Sequence, residues 1–202
     1  MLSGDLWSRL RINVSSRRTG DVLRGAFAAV EVPQGRGKDS DTEPVDYVLA
    51  QVNVGRLVAS LDSPELAAFI AALDPVNSAA DAAPGFIWRL QTENGNATSV
   101  VAFSWDAGDS AGIIVNMSVW ESAEALEAFI YSESHRPILR RRREFFHQMP
   151  EAYAALWWIP GGTVPTTDDA EERVRHLRAH GPGPFAFTLR QCFPAPSAAE
   201  VS

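Results

Sequence analysis

The stretch Ile113–Trp120 (IIVNMSVW) constrains the fold more than any other part of the chain. Side chains of a strand alternate with a period of two, so Ile113, Val115, Met117 and Val119 share one face while Ile114, Asn116, Ser118 and Trp120 share the other. A wholly apolar row opposite a mixed polar and aromatic row belongs to a sheet packed in a core on one side, with a pocket or an interface on the other.

The neighbouring segments supply the partners of such a strand. Tyr47–Leu57 alternates as well, with Tyr47, Leu49, Gln51 and Asn53 on one face and Val48, Val52 and Val54 on the other. Asp62-Ser63-Pro64-Glu65 places a capping residue before a first-turn proline, and Leu66, Phe69, Ile70 and Leu73 follow at helical spacing, giving a helix to about Ala80. Pro84-Gly85 turns the chain, Phe86–Gln91 reads as a second strand, and Asn94-Gly95 is a hairpin-type turn. After Trp120, Ser122 caps a helix with the stripe Leu126, Phe129 and Ile130. Pro137 has no N–H and clashes with the preceding turn, so this helix breaks near His135 and restarts with Pro137 in its first turn. Tyr153–Ile159 is a further strand. Thr167 caps a helix over Asp168–His180, with acids at its start and arginines towards its end, and Gly181 stops it. Phe185–Phe193 reads as the last strand.

This order predicts an α+β fold of ferredoxin-like type, an antiparallel sheet with helices on one face. A doubly wound nucleotide-binding sheet is disfavoured, since no G-x-G-x-x-G or phosphate-loop pattern occurs. An apolar second sheet face generally marks an association surface, so a homodimer is expected. Residues 1–46 read as a flexible N-terminal tail and linker, because Val32–Pro44 is mostly proline, glycine and charge with little to bury. The folded domain is placed at 47–194 and a C-terminal tail at 195–202.

Composition narrows the partners. With 46% of residues apolar, the chain is far from the disordered regime. The net charge is −7 and the only lysine is Lys38, which argues against binding a phosphate backbone. No run approaches the roughly 20 apolar residues of a membrane span, and no secretory apolar run follows a basic start, so no membrane partner is expected. The single cysteine, Cys192, allows neither an intrachain disulfide nor a cysteine zinc site, which fits a reducing cytoplasm.

Chemistry concentrates around His135. At a helix break, free N–H groups and the positive dipole end favour a neutral imidazole, able to act as base or ligand. His176 and His180 are four apart, but histidine is favoured at a helix C-terminus, and no metal site is expected. The four arginines Arg140–Arg143 cannot share one helical face; most are solvated or paired, and one of them can anchor an anion. Trp157 and Trp158 face opposite sides of their strand, one towards core and one towards a pocket or partner, and with Trp88 and Trp120 they suggest an aromatic wall.

The segment Asn116–His135 (NMSVWESAEALEAFIYSESH) resembles the central strand and helix of dimeric α/β-barrel proteins of the antibiotic-biosynthesis-monooxygenase type. Tyr47–Phe193, carried by LAQVNVGRL, NMSVWES, FIYSESHRPILRRRREFF and LWWIPGGTVPT, resembles a bacterial domain-of-unknown-function family placed in that superfamily. The resemblance implies paired ferredoxin-like protomers, each with a pocket between sheet and helices, in a group that includes cofactor-independent oxygenases, cyclases and haem-degrading enzymes. Asn53 and His135 stand near the asparagine and histidine of the haem-degrading members, but Phe129 occupies the place of their tryptophan and the histidine comes about one turn early. The expectation is therefore an oxygenase or cyclase acting on a hydrophobic or aromatic small molecule without a bound organic cofactor. Its catalytic residues would be His135 and Asn53. Asn116, Trp120, Phe129, Trp157 and Trp158 would contact the substrate, and Arg136 or Arg140 would hold an anionic group. The alternatives are a haem- or ligand-binding module with His135 as axial ligand, and a purely structural dimer.

Overall fold

The structure, a computed structural model, describes residues 46–91 and 102–197. The readings on the N-terminal tail, the Asn94-Gly95 turn and the end of the C-terminal tail lie outside the described residues. Among the described residues four strands and four α-helices follow in the order β1 (Tyr47–Arg56), α1 (Ala67–Asp81), β2 (Phe86–Arg89), β3 (Ile113–Trp120), α2 (Ala123–Ile130), α3 (Arg136–Phe145), β4 (Ala154–Pro160) and α4 (Thr167–His180). They build one sheet of order β2-β3-β1-β4 in which every neighbouring pair is antiparallel. This is the α+β, ferredoxin-like arrangement, with two split β-α-β units interleaved.

Register fixes the two faces. Leu49 stands opposite Trp120 on β3 and Trp158 on β4, while Ala50 stands opposite Val119 and Trp157. The first face, with Ala50, Val52, Met117, Val119 and Trp157, packs beneath Phe69 and Ile70 of α1, Phe145 of α3, and Val174 and Leu177 of α4. Each large apolar side chain so buried contributes about 1.5–3 kcal/mol.

Helix α2 departs from the expected single layer. Its Leu126 joins Leu49, Trp120, Leu156 and Phe187, a cluster on the second face. The local cause is the cap at Ser122, two residues after Trp120, whose Oγ accepts from Ala125 N at 3.2 Å and starts the helix at Ala123. The stripe Leu126, Phe129, Ile130 therefore folds onto the side that Trp120 occupies.

The expected last strand is not one. Over Phe185–Phe193 the chain makes turns, with bridges Gly183↔Ala186 and Thr188↔Gln191 and a single pairing of Phe187 with Leu156. Gly183-Pro184 removes a ladder donor and the turn at Thr188–Gln191 ends the pairing. Phe187 is nevertheless fully buried, and Trp158 Nε1 donates to Phe193 O at 2.8 Å, so this segment closes the β4 edge. Together α2 and residues 185–193 cover the apolar part of the second face. The bare apolar face on which the dimer expectation rested is thus already covered by the chain; Asn53 and Asn116 are what it leaves exposed.

The cap of α4 is Thr166, one residue before the expected Thr167. Thr166 Oγ1 accepts from Asp169 N at 3.1 Å, and the Asp169 carboxylate accepts from Thr166 N at 2.8 Å. Among the described residues no helix is long and apolar enough to cross a membrane.

Candidate functional site

The break between α2 and α3 falls where Pro137 requires it, and His135 becomes the residue preceding α3. Its ring is half-buried. Nδ1 lies 3.0 Å from Ile130 O, and because a carbonyl only accepts, Nδ1 carries the proton and Nε2 keeps its lone pair. Burial lowers the His135 pKa below the ordinary imidazole value, more than the Ile130 carbonyl restores it. The side chain is therefore a neutral imidazole with its basic nitrogen uncommitted among the described residues.

An aromatic series links this imidazole to the sheet. His135 packs on Phe129 with ring centroids 5.1 Å apart, Phe129 stacks on Trp120 at 5.2 Å and 27°, and Phe86 meets the same indole edge-on at 5.3 Å. Trp120 is only 1% exposed, so it is the floor of this stack, with its Nε1 donating to Ser118 Oγ at 2.8 Å. Ser118 Oγ also accepts from Gln51 Nε2 at 2.9 Å, and Gln51 Nε2 lies 3.3 Å from Asn116 Oδ1. Asn53 pairs across the ladder with Asn116, so both amides are presented on this face. They stand four strand positions from Trp120, about 13 Å.

The structure thus gathers Asn53, Asn116, Trp120, Phe129 and His135 on one side of the sheet. Trp157 is not with them: it is 1% exposed in the core under the helices. Trp88 stands opposite Val119 and packs on that same first-face core, so the four tryptophans form no common wall. Trp158 is on the second face, half-buried against Phe187 and Phe193. Arg136 and Arg140 are exposed on α3, which packs through Phe145 on the other core, and neither has an ion pair among the described residues. Within the arginine run, Arg141 pairs with Glu144 at 2.7 Å.

A second polar constellation was not legible in the sequence. Asp106, 3% exposed, receives both terminal nitrogens of Arg178 at 2.8 and 2.9 Å, and Arg56 as well. Arg56 also reaches Glu151 at 3.1 Å, and Arg178 Nε donates to Ala152 O at 2.7 Å. Desolvation works to raise the Asp106 pKa, but the two guanidinium groups outweigh it and hold the carboxyl below its usual range. With both carboxylate oxygens occupied, the group fastens residues 102–112 to β1 and α4 and offers no free acid or base. No local spacing announces it, since its members are scattered from β1 to α4.

An open groove of about 750 Å³ runs along α4, lined by Asp168, Glu171, Glu172, Arg175, His176, Ala179, His180 and Phe185, and includes none of the residues gathered around His135. Among the described residues no group of three or more His, Cys, Asp or Glu is placed to hold a metal ion. Comparison with known proteins adds one family: a model described as "Domain of unknown function (DUF3291)" matches residues 48–202. No curated protein matches the chain, and no solved structure does.

Proposed function

The chain belongs to the DUF3291 family, a domain of unknown function, and from that premise we propose that it is a small-molecule enzyme of oxygenase or cyclase type, acting on a hydrophobic or aromatic substrate held on the uncovered strip of the second sheet face at the edge of α2. The observation that carries the reading is the uncommitted Nε2 of a neutral His135 at the end of an aromatic stack. In this mechanism Nε2 removes a proton from an activated O–H or C–H of the substrate, and the Nδ1–H bond to Ile130 O holds the ring in the required tautomer. Phe129, half-buried, provides the aromatic contact over the buried Trp120. The amides of Asn53 and Asn116 donate to an oxygen on which charge develops. With about 13 Å between the amides and Trp120, a substrate that engages both ends has several rings.

The strand order and the resemblance around Asn116–His135 support placing the chain in the dimeric α/β-barrel, antibiotic-biosynthesis-monooxygenase-like group. Two protomers would pair across this face through Gln51, whose amide both donates and accepts and so is self-complementary across a twofold axis, with Asn53 and Asn116 at the seam facing the substrate. The lone Cys192 supports a cytoplasmic setting.

The test is oxygen uptake and product formation by the full chain across a panel of hydroxylated multi-ring aromatics. His135→Ala is expected to lose about 10²–10⁴-fold in turnover while still binding the substrate. Unchanged turnover removes His135 from the mechanism. The same free Nε2 also favours a second reading, a haem-binding module without catalysis. A Soret band formed on adding haem and abolished in His135→Ala would select it.

A further inference from the structure

The groove along α4 contains an arrangement that the proposed function does not use. His176 and His180 are one helical turn apart, and their ring centroids lie 4.6 Å from each other. Neither ring has a hydrogen-bond or ion-pair partner among the described residues, so their nitrogens are available. His176 is held in place from the other side. Its ring packs on Phe185 at 4.7 Å, and Phe185 lies under the Arg173 guanidinium at 3.5 Å, whose Nη1 donates to Phe185 O at 3.0 Å. One of the two imidazoles is therefore ordered before any ligand arrives, which reduces the entropy lost on binding.

The surroundings favour a cation. His180 is the last residue of α4, and Gly181 N bonds back to Leu177 O at 3.0 Å, so the negative end of the helix dipole lies at the pair. Glu172, one turn before His176, adds an acid beside the pair, with Asp168 further along the groove, while the third acid, Glu171, is taken up by Arg175 at 3.1 Å and Trp105 Nε1 at 2.8 Å. Neutral imidazole is the preferred ligand of late first-row metals, whereas magnesium and calcium prefer oxygen.

We propose that His176 and His180 form a two-imidazole site on α4 for a divalent late transition-metal ion such as Zn²⁺, with water filling the remaining positions. Two protein ligands leave the coordination sphere open, which makes the ion exchangeable and accessible to a further donor from a bound molecule. The proposal is independent of the chemistry at His135, which lies between α2 and α3.

The experiment is calorimetric titration of the metal-free full chain with Zn²⁺, and separately with Mg²⁺, near neutral pH. The expected result is saturable binding of one Zn²⁺ per chain, no comparable Mg²⁺ binding, and loss of the Zn²⁺ isotherm in both His176→Ala and His180→Ala. His135→Ala is expected to retain the site, and a circular dichroism melt of each variant shows that it is folded. Absence of saturable Zn²⁺ binding overturns the proposal. So does Zn²⁺ binding that survives in either variant, or Mg²⁺ binding of similar strength, which would assign the ion to the carboxylates.

Discussion

At the scale of single residues, the environment decides what a side chain can do. His135 is half-buried against Phe129 and titrates below its ordinary value, so the unfolded chain binds its proton first as the pH falls. The stability it carries is complete above about pH 6.5 and is lost on descending from there towards its lower folded-state pKa. His135→Phe is predicted to flatten that limb of a pH–stability curve measured by urea denaturation; an unaltered slope would show that the imidazole is not desolvated. Asp106 behaves in the opposite charge sense. Removing a buried carboxylate leaves Arg56 and Arg178 facing each other without it. Asp106→Ala is predicted to cost about 3–5 kcal/mol in the same assay, and a loss under about 1 kcal/mol would mean the three groups are not the fastening described above. His135 was legible in the sequence because Pro137 marks a helix break locally. Asp106 was not, because each of its partners arrives from a different element.

At the scale of elements, period and punctuation are local properties that a sequence carries, whereas tertiary placement is not. The alternation of Ile113–Trp120 identified both faces of β3, and Ser122, Pro137 and Gly181 marked helix ends as expected. The aromatic wall failed for a geometric reason. Trp88 and Trp157 stand opposite first-face residues once the strands are paired, and pairing register is a long-range property that no single strand declares. Phe185–Phe193 has strand composition, yet Pro184 and the turn at Thr188 limit it to one ladder pair with Leu156. The cap at Thr166 shows how finely a terminus can be set, since two adjacent threonines compete and Asp169 sits at the spacing that closes the box on the first. Thr166→Ala is predicted to cost about 1 kcal/mol, with Thr167→Ala costing far less, measurable as a difference in thermal midpoints. Equal effects would contradict the assigned cap.

At the scale of the whole molecule, three helices seal one side of the sheet, while α2 and residues 185–193 cover the apolar part of the other and leave an amide-bearing strip, about 13 Å along β3 from the Trp120 end of the stack that carries His135. If that strip is where two protomers meet, Asn116→Lys places like charges across the twofold axis and yields a monomer in analytical ultracentrifugation where the unaltered chain sediments as a dimer. A dimer unaffected by the substitution would locate the contact elsewhere. The central claim is that this strip, with the neutral imidazole at its end, receives an aromatic molecule. The most direct measurement is an NMR titration of the isotope-labelled full chain with a two-ring phenol such as 2-naphthol, following His135, Phe129 and Asn116. The account predicts saturable shifts at those three residues, with the His135 ring titrating below about 6.5 in the free protein. Resonances there that stay fixed while those lining the α4 groove move would contradict it.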